Sequence, residues 1–196
     1  MISDADLGEA AAAIRAGDLV VYPTETVYGL GADALDPEAI ERAFAAKGRD
    51  RDKPMSLGVP DVETATQYVV ASDRERAFMD AFLPGPVTVV CEKRDVVPDA
   101  LTGGRERVGV RVPDHDVALA LLDRVHPVTA TSANVSGRPS VTHHDDLDAE
   151  IRETTAVVLA GGETGGVEST VVDVANEEVI RRGADAERIE EWLDEH

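Results

Sequence analysis

Short apolar runs alternate with stretches of helical period along nearly the whole chain, and this alternation limits the fold more than any other feature. Leu19 to Tyr22, Met55 to Val59, Val87 to Cys91, Val108 to Pro113, Pro127 to Ala130, Ala156 to Leu159, Ser169 to Val174 and Val179 to Arg181 read as strands. Helices are predicted from Ser3 to about Gly17, from Asp36-Pro37 to about Ala46, over Asp61 to Val69, Ser72 to Phe82 and Asp116 to Val125, from His143 to Ile151, and from about Ala186 to Asp194. Ser72 and Glu75 have capping-box spacing, and Asp36-Pro37 joins an N-cap to a proline at the first helical position. The last helix gathers Ile189, Trp192 and Leu193 on one side. Residues 93–105 read as irregular loop. With no repeat or linker, the pattern describes one α/β domain over residues 1–196.

The second constraint is electrostatic. The formal charge is −20, yet Lys47-Gly48-Arg49-Asp50-Arg51-Asp52-Lys53 places four cations in seven residues and includes two of the three lysines. Gly48 weakens helix, and Pro54 pushes Lys53 toward extended geometry. An extended segment would project Lys47, Arg49, Arg51 and Lys53 from one face, where they repel unless an anion sits among them. A polyphosphate is the natural anion. The plainer alternative is a solvated turn in which Asp50 and Asp52 neutralise the arginines, with Lys47 suited to a helix C-terminus.

Other classes fall away on composition. An excess of acid this large disfavours broad attraction to a nucleic-acid backbone, so phosphate binding has to be local. It resembles a salt-adapted surface, and an acidic partner surface would give the same totals. Cys91 is the sole cysteine, which excludes an intrachain disulfide, a Cys-rich zinc site and a CxxC pair, and its apolar run suggests a buried thiol. The lack of a signal-peptide pattern or an apolar stretch of about 18 residues suggests a cytoplasmic protein with no membrane partner.

Two polar stretches remain. Thr131 to Ser140 packs five small hydroxyl or amide residues into ten positions after a strand, which suits a ligand loop or an ordinary turn. His143-His144-Asp145-Asp146 looks metal-like but lacks HExxH spacing and more naturally starts a helix. Gly161 to Gly166 lacks the GxxxxGK[ST] pattern, so it is not a Walker A loop.

Tyr22-Pro23-Thr24-Glu25-Thr26-Val27-Tyr28-Gly29-Leu30-Gly31 resembles the opening motif of the YrdC/TsaC-like family of threonylcarbamoyl-adenylate synthases. The family's Lys-x-Arg matches Lys47 and Arg49, its Pro-Gly-Pro-x-Thr matches Pro84 to Thr88, and its Val-Arg-x-Pro matches Val110 to Pro113. Ser-Ala-Asn-x-Ser-Gly matches Ser132 to Gly137, Ser-Thr-Val-Val-Asp matches Ser169 to Asp173, and Arg-x-Gly matches Arg181 and Gly183. Asp50 and Arg182 stand where the family often has proline; neither change removes a charged ligand candidate.

The resemblance implies a twisted mixed sheet with flanking helices, a concave ligand groove, and the family's short, single-domain form. It also implies a reaction in which ATP, L-threonine and bicarbonate or CO2 give threonylcarbamoyl-AMP and pyrophosphate. That product would serve modification of tRNA adenosine 37 through downstream transfer proteins. On this basis Lys47 and Arg49 are expected at the triphosphate, with Arg51 a weaker candidate. Ser132, Asn134, Ser140 and Arg181 complete the ATP side. Arg111 is expected on the threonine carboxylate, with Thr24, Ser56 and Ser169 nearby. Mg²⁺ is expected as the counter-ion of ATP, held mostly by phosphate and water. An RNA-binding module and a carbamoyl-transfer domain of the same fold remain the alternatives.

Overall fold

The computed structural model describes residues 2–196, so of the expected domain only Met1 lies outside the described residues. In chain order the elements are α1 (Asp4–Arg15), β1 (Leu19–Tyr22), β2 (Gly29–Gly31), α2 (Pro37–Lys47), β3 (Ser56–Gly58), α3 (Val62–Ala65), β4 (Val69–Val70), α4 (Asp73–Phe82) and β5 (Val87–Lys93). They continue with α5 (Asp99–Thr102), β6 (Arg107–Arg111), α6 (Asp116–Leu122), β7 (Val128–Ser132), α7 (Ala149–Thr154), β8 (Thr155–Val158), β9 (Thr170–Asp173), β10 (Glu178–Arg181) and α8 (Ala186–Glu195). The strands form one sheet in the order β10-β9-β5-β6-β3-β7-β2-β1-β8, with β4 paired to β5. The β1–β8, β3–β6 and β5–β9 pairs are parallel and the rest antiparallel, so the sheet is mixed as expected.

Local chemistry sets the helix ends. Ser3 and Ser72 both close capping boxes, and the Asp36 side chain accepts from Glu38 N at the start of α2. Gly48 ends α2 at φ +54, a left-handed conformation that glycine adopts without a Cβ penalty. The main core joins Leu30, Phe44, Leu57 and Val89 of the sheet and α2 to Phe78 of α4 and Ile189 of α8. Trp192 meets Phe78 edge-on at 5.0 Å between ring centroids. Cys91 is fully buried, and burial pushes its thiol up to about 12, as suits a structural thiol.

Several sequence expectations are corrected. Residues 93–105 are not plain loop, because β5 runs on to Lys93 and α5 buries Leu101 against the core. The helix expected over Asp61–Val69 shrinks to one turn, since Val69 and Val70 pair with β5. The helix expected from His143 divides into a 3-10 turn at His144–Asp146 and α7. The basic heptad is not an extended strip: Lys47 is the last residue of α2, and Lys53 N closes a turn on Asp50 O at 3.0 Å.

Candidate active site

A cavity of about 720 Å³ opens over the middle of the sheet. Its walls come from elements distant in sequence. The turn after β1 supplies Thr24 and Thr26, the segment after α2 supplies Arg49, and β3 supplies Ser56. Thr88 enters from β5, Arg107, Gly109 and Arg111 from β6, and Ser132 from the end of β7. Ser169, just before β9, and Arg181, at the end of β10, complete the lining. Thus Thr24, Arg49, Ser56, Arg111, Ser132, Ser169 and Arg181 share one cavity.

Four expected residues stand behind that surface or outside it. Lys47 is buried, and its ammonium donates to Ser132 O and, at 2.7 Å, to Asn134 O, which ties α2 to the turn after β7. Asn134 donates to Val135 O and Arg138 O at 3.0 and 2.8 Å, and its buried Oδ1 has no partner. Ser140 donates to the Glu168 carboxylate. Arg51 is turned away, paired with Glu41 and lying over the Phe44 ring at 5.1 Å. The left-handed Gly48 and the turn after it break the alternation that would have kept all four cations on one face.

The electrostatics follow from burial. Burial first, and then the neighbouring Arg49, lower the Lys47 ammonium to about 8, while Glu168 and Asp148 oppose the shift. Arg49 is lowered by burial and by Arg181, with Glu168 opposing. Arg49 also donates to Lys53 O and Pro54 O at 2.8 and 3.0 Å, which fixes its guanidinium at the cavity wall.

Arg111 donates from Nη2 to Glu25 Oε1 at 2.9 Å and Thr26 Oγ1 at 2.8 Å, and from Nη1 to Gly85 O at 3.3 Å. Three of its five protons are committed, leaving Nε–H and one Nη1–H for a ligand. Thr24 is committed too, because its hydroxyl donates to Val27 O at 2.7 Å and accepts from Thr26 N and Val27 N. It holds the turn that presents Thr26 to Arg111. Thr88 and Ser169 share a hydrogen bond at 3.1 Å, and Arg181 donates to Ser169 Oγ at the same distance. Glu25, Thr26, Thr88, Gly109 and Glu168 were not singled out from sequence. Glu25, Thr26 and Thr88 lie inside the matched motifs, so a signal was present for them.

Tyr22 lies in the floor, and burial pushes its phenol up to about 12. Its ring explains two glycines of the opening motif, since a Cβ at Gly29 or Gly31 would come within 3.0 or 3.1 Å of it. Atoms of His143, His144 and Asp145 able to ligate a metal lie within 4.8 Å of one another, on the 3-10 turn and outside the cavity wall. No helix among the described residues is long and apolar enough to cross a membrane.

The Sua5/YciO/YrdC family model, described as telomere recombination, matches residues 12–183. A threonylcarbamoyl-AMP synthase of Pyrococcus abyssi is 45% identical over 169 residues, covering 84% of this chain and 49% of that protein. One of Bacillus subtilis is 37% identical over 179 residues, covering 89% of this chain and 52% of that protein. The chain therefore spans about half the length of these relatives. The crystal structure of P. abyssi Sua5 complexed with L-threonine superposes with a TM-score of 0.87 at 39% identity, over 96% of this chain and 58% of that one.

Proposed function

Because the chain belongs to the Sua5/YciO/YrdC family, we propose that it is a threonylcarbamoyl-AMP synthase that joins L-threonine, bicarbonate or CO2, and ATP. The carrying observation is that Arg49, Arg111 and Arg181 line one cavity, with the buried Lys47 behind its Ser132 wall, in a protein of net charge −20. Several cations around one cavity suit two anions at once, a triphosphate and an amino-acid carboxylate. The name of the relatives and the threonine bound to P. abyssi Sua5 support the same reading.

In this proposal threonine's carboxylate takes the free protons of Arg111, and hydroxyls at Ser56, Thr88 and Ser169 meet its polar groups. The amine combines with CO2 to give a carbamate, whose oxygen attacks the α-phosphorus of ATP and expels pyrophosphate. No covalent enzyme intermediate is required. The chain contributes positioning and charge neutralisation, the main needs of phosphoryl-type transfer. Arg49, Arg181 and Ser132 hold phosphate and nucleotide, while Lys47 fixes the 132–134 turn and lends charge from behind it.

Mg²⁺ fits as a companion of the triphosphate. Glu168 accepts from Ser140 and Arg181, and Asp148 from Val135 N and Arg138, so both carboxylates beside the cations are already engaged. When bound, Mg²⁺ would neutralise phosphate charge, held by phosphate oxygens and water. The product would pass to the proteins that modify tRNA adenosine 37. The test combines purified protein with ATP, threonine and bicarbonate. Pyrophosphate release that depends on threonine, with the mass of the adenylate, is the expected result; its absence rejects the activity.

A further inference from the structure

Two of the arginines placed to meet a substrate anion, Arg111 and Arg181, already hold a carboxylate of the chain, and burial distinguishes the two pairs. Arg111 and Glu25 are 2.9 Å apart with side chains 9% and 18% exposed. Parting them would strand a buried charge, so Glu25 is a fixed counter-ion. Arg181 and Glu168 are 2.8 Å apart with side chains 47% and 40% exposed. A pair this hydrated can exchange partners at small cost.

Glu168 also accepts from Ser140, and its charge reaches Lys47 and Arg49, where it opposes the effect of burial on both. It thus engages or faces the groups assigned above to the triphosphate. The Glu168 backbone is held, because its carbonyl accepts from Ala184 N at 2.9 Å. Exchange then needs a side-chain rotation and no loop opening.

We propose that Glu168 is an exchangeable internal counter-ion of the phosphate subsite, displaced by polyphosphate and returning to Arg181 and Ser140 as pyrophosphate leaves. This rests on the phosphate assignment in the proposed function. A tethered carboxylate competes at high effective concentration, so it weakens every anion that takes the subsite and helps to release product.

The test is calorimetric titration of wild type and Glu168→Gln with pyrophosphate at low salt, without metal and then with Mg²⁺. Glutamine keeps the size and loses the charge. The variant is expected to bind metal-free pyrophosphate more tightly, by roughly fivefold, the upper end for a half-exposed ion pair. A purely structural role would leave affinity unchanged or reduce it. Equal or weaker binding by a variant with an unchanged melting temperature overturns the inference and leaves the phosphate assignment standing. Loss of affinity only with Mg²⁺ would mark Glu168 as a metal ligand and also overturn it. If wild type itself does not bind pyrophosphate, the phosphate assignment fails and the inference with it.

Discussion

Lys47 carries the sharpest residue-scale consequence. Its ammonium is lowered from 10.5 to about 8, chiefly by burial. The native protein therefore loses this proton near pH 8 and the unfolded chain near 10.5, so between these values the unfolded state binds more protons. Lys47 opposes folding below that window, and its cost is relieved as pH rises through it. Anion binding should run the other way, because a neutral Lys47 lends no charge to the phosphate subsite in front of it. Polyphosphate affinity is expected to fall as pH passes about 8, with proton uptake on binding, and Lys47→Met should abolish that dependence. Calorimetry in two buffers of different ionisation enthalpy measures it. Arg49→Ala should raise the ATP KM or abolish adenylate formation while threonine binding stays largely intact; normal turnover would remove Arg49 from the site. Threonine should be preferred to valine, because hydroxyl partners left facing a methyl group cost about 1–3 kcal/mol, roughly 5- to 150-fold in kcat/KM. Equal turnover of valine would reject the threonine pocket.

At the scale of elements, the site depends on where strands end and how closely they pass. The middle of β6 is glycine because its neighbours leave no room: a Cβ at Gly109 would overlap Ser56 Oγ and come 2.8 Å from Thr88 Cγ2. Gly109→Ala should cost about 1–3 kcal/mol through overpacking and raise the threonine KM with little change for ATP. A larger rise in the ATP KM would place the substrates the other way round. The end of α2 is a second such point. Gly48 is left-handed but has open space where a Cβ would go. Gly48→Ala should therefore lose only about 1 kcal/mol of stability, visible as a small fall in melting temperature, yet still disturb Arg49.

For the whole molecule, charge dominates. Thirty-nine acidic residues against 19 lysines and arginines make the folded chain repel itself. The Debye length shrinks from about 30 Å at 0.01 M salt to about 3 Å at 1 M, so this repulsion fades as salt rises. The local cation cluster is screened by the same ions. Melting temperature should climb with KCl while ATP affinity falls, measured by thermal unfolding from low to molar KCl with and without ATP. A flat or falling melting temperature would reject salt adaptation and favour an acidic partner surface.

Much of this protein is legible in its amino-acid sequence. The alternation of apolar runs and capped helices determines an α/β fold, because strand and helix periods are local properties of the chain. The ordered motifs, from Tyr22-Pro23-Thr24 to Arg181, mark most of the stretches that reach the cavity. Short non-local elements are not legible: β4 is strand only because Val69 and Val70 meet β5, and α5 holds because the core covers Leu101. Tertiary structure alone separates the cations of the basic heptad, burying Lys47 and sending Arg51 to Glu41. It alone pairs Arg111 with Glu25 and Arg181 with Glu168. These partners lie 86 and 13 residues apart, and an ion pair is decided by the distance that folding leaves between two charges, which sequence spacing does not contain.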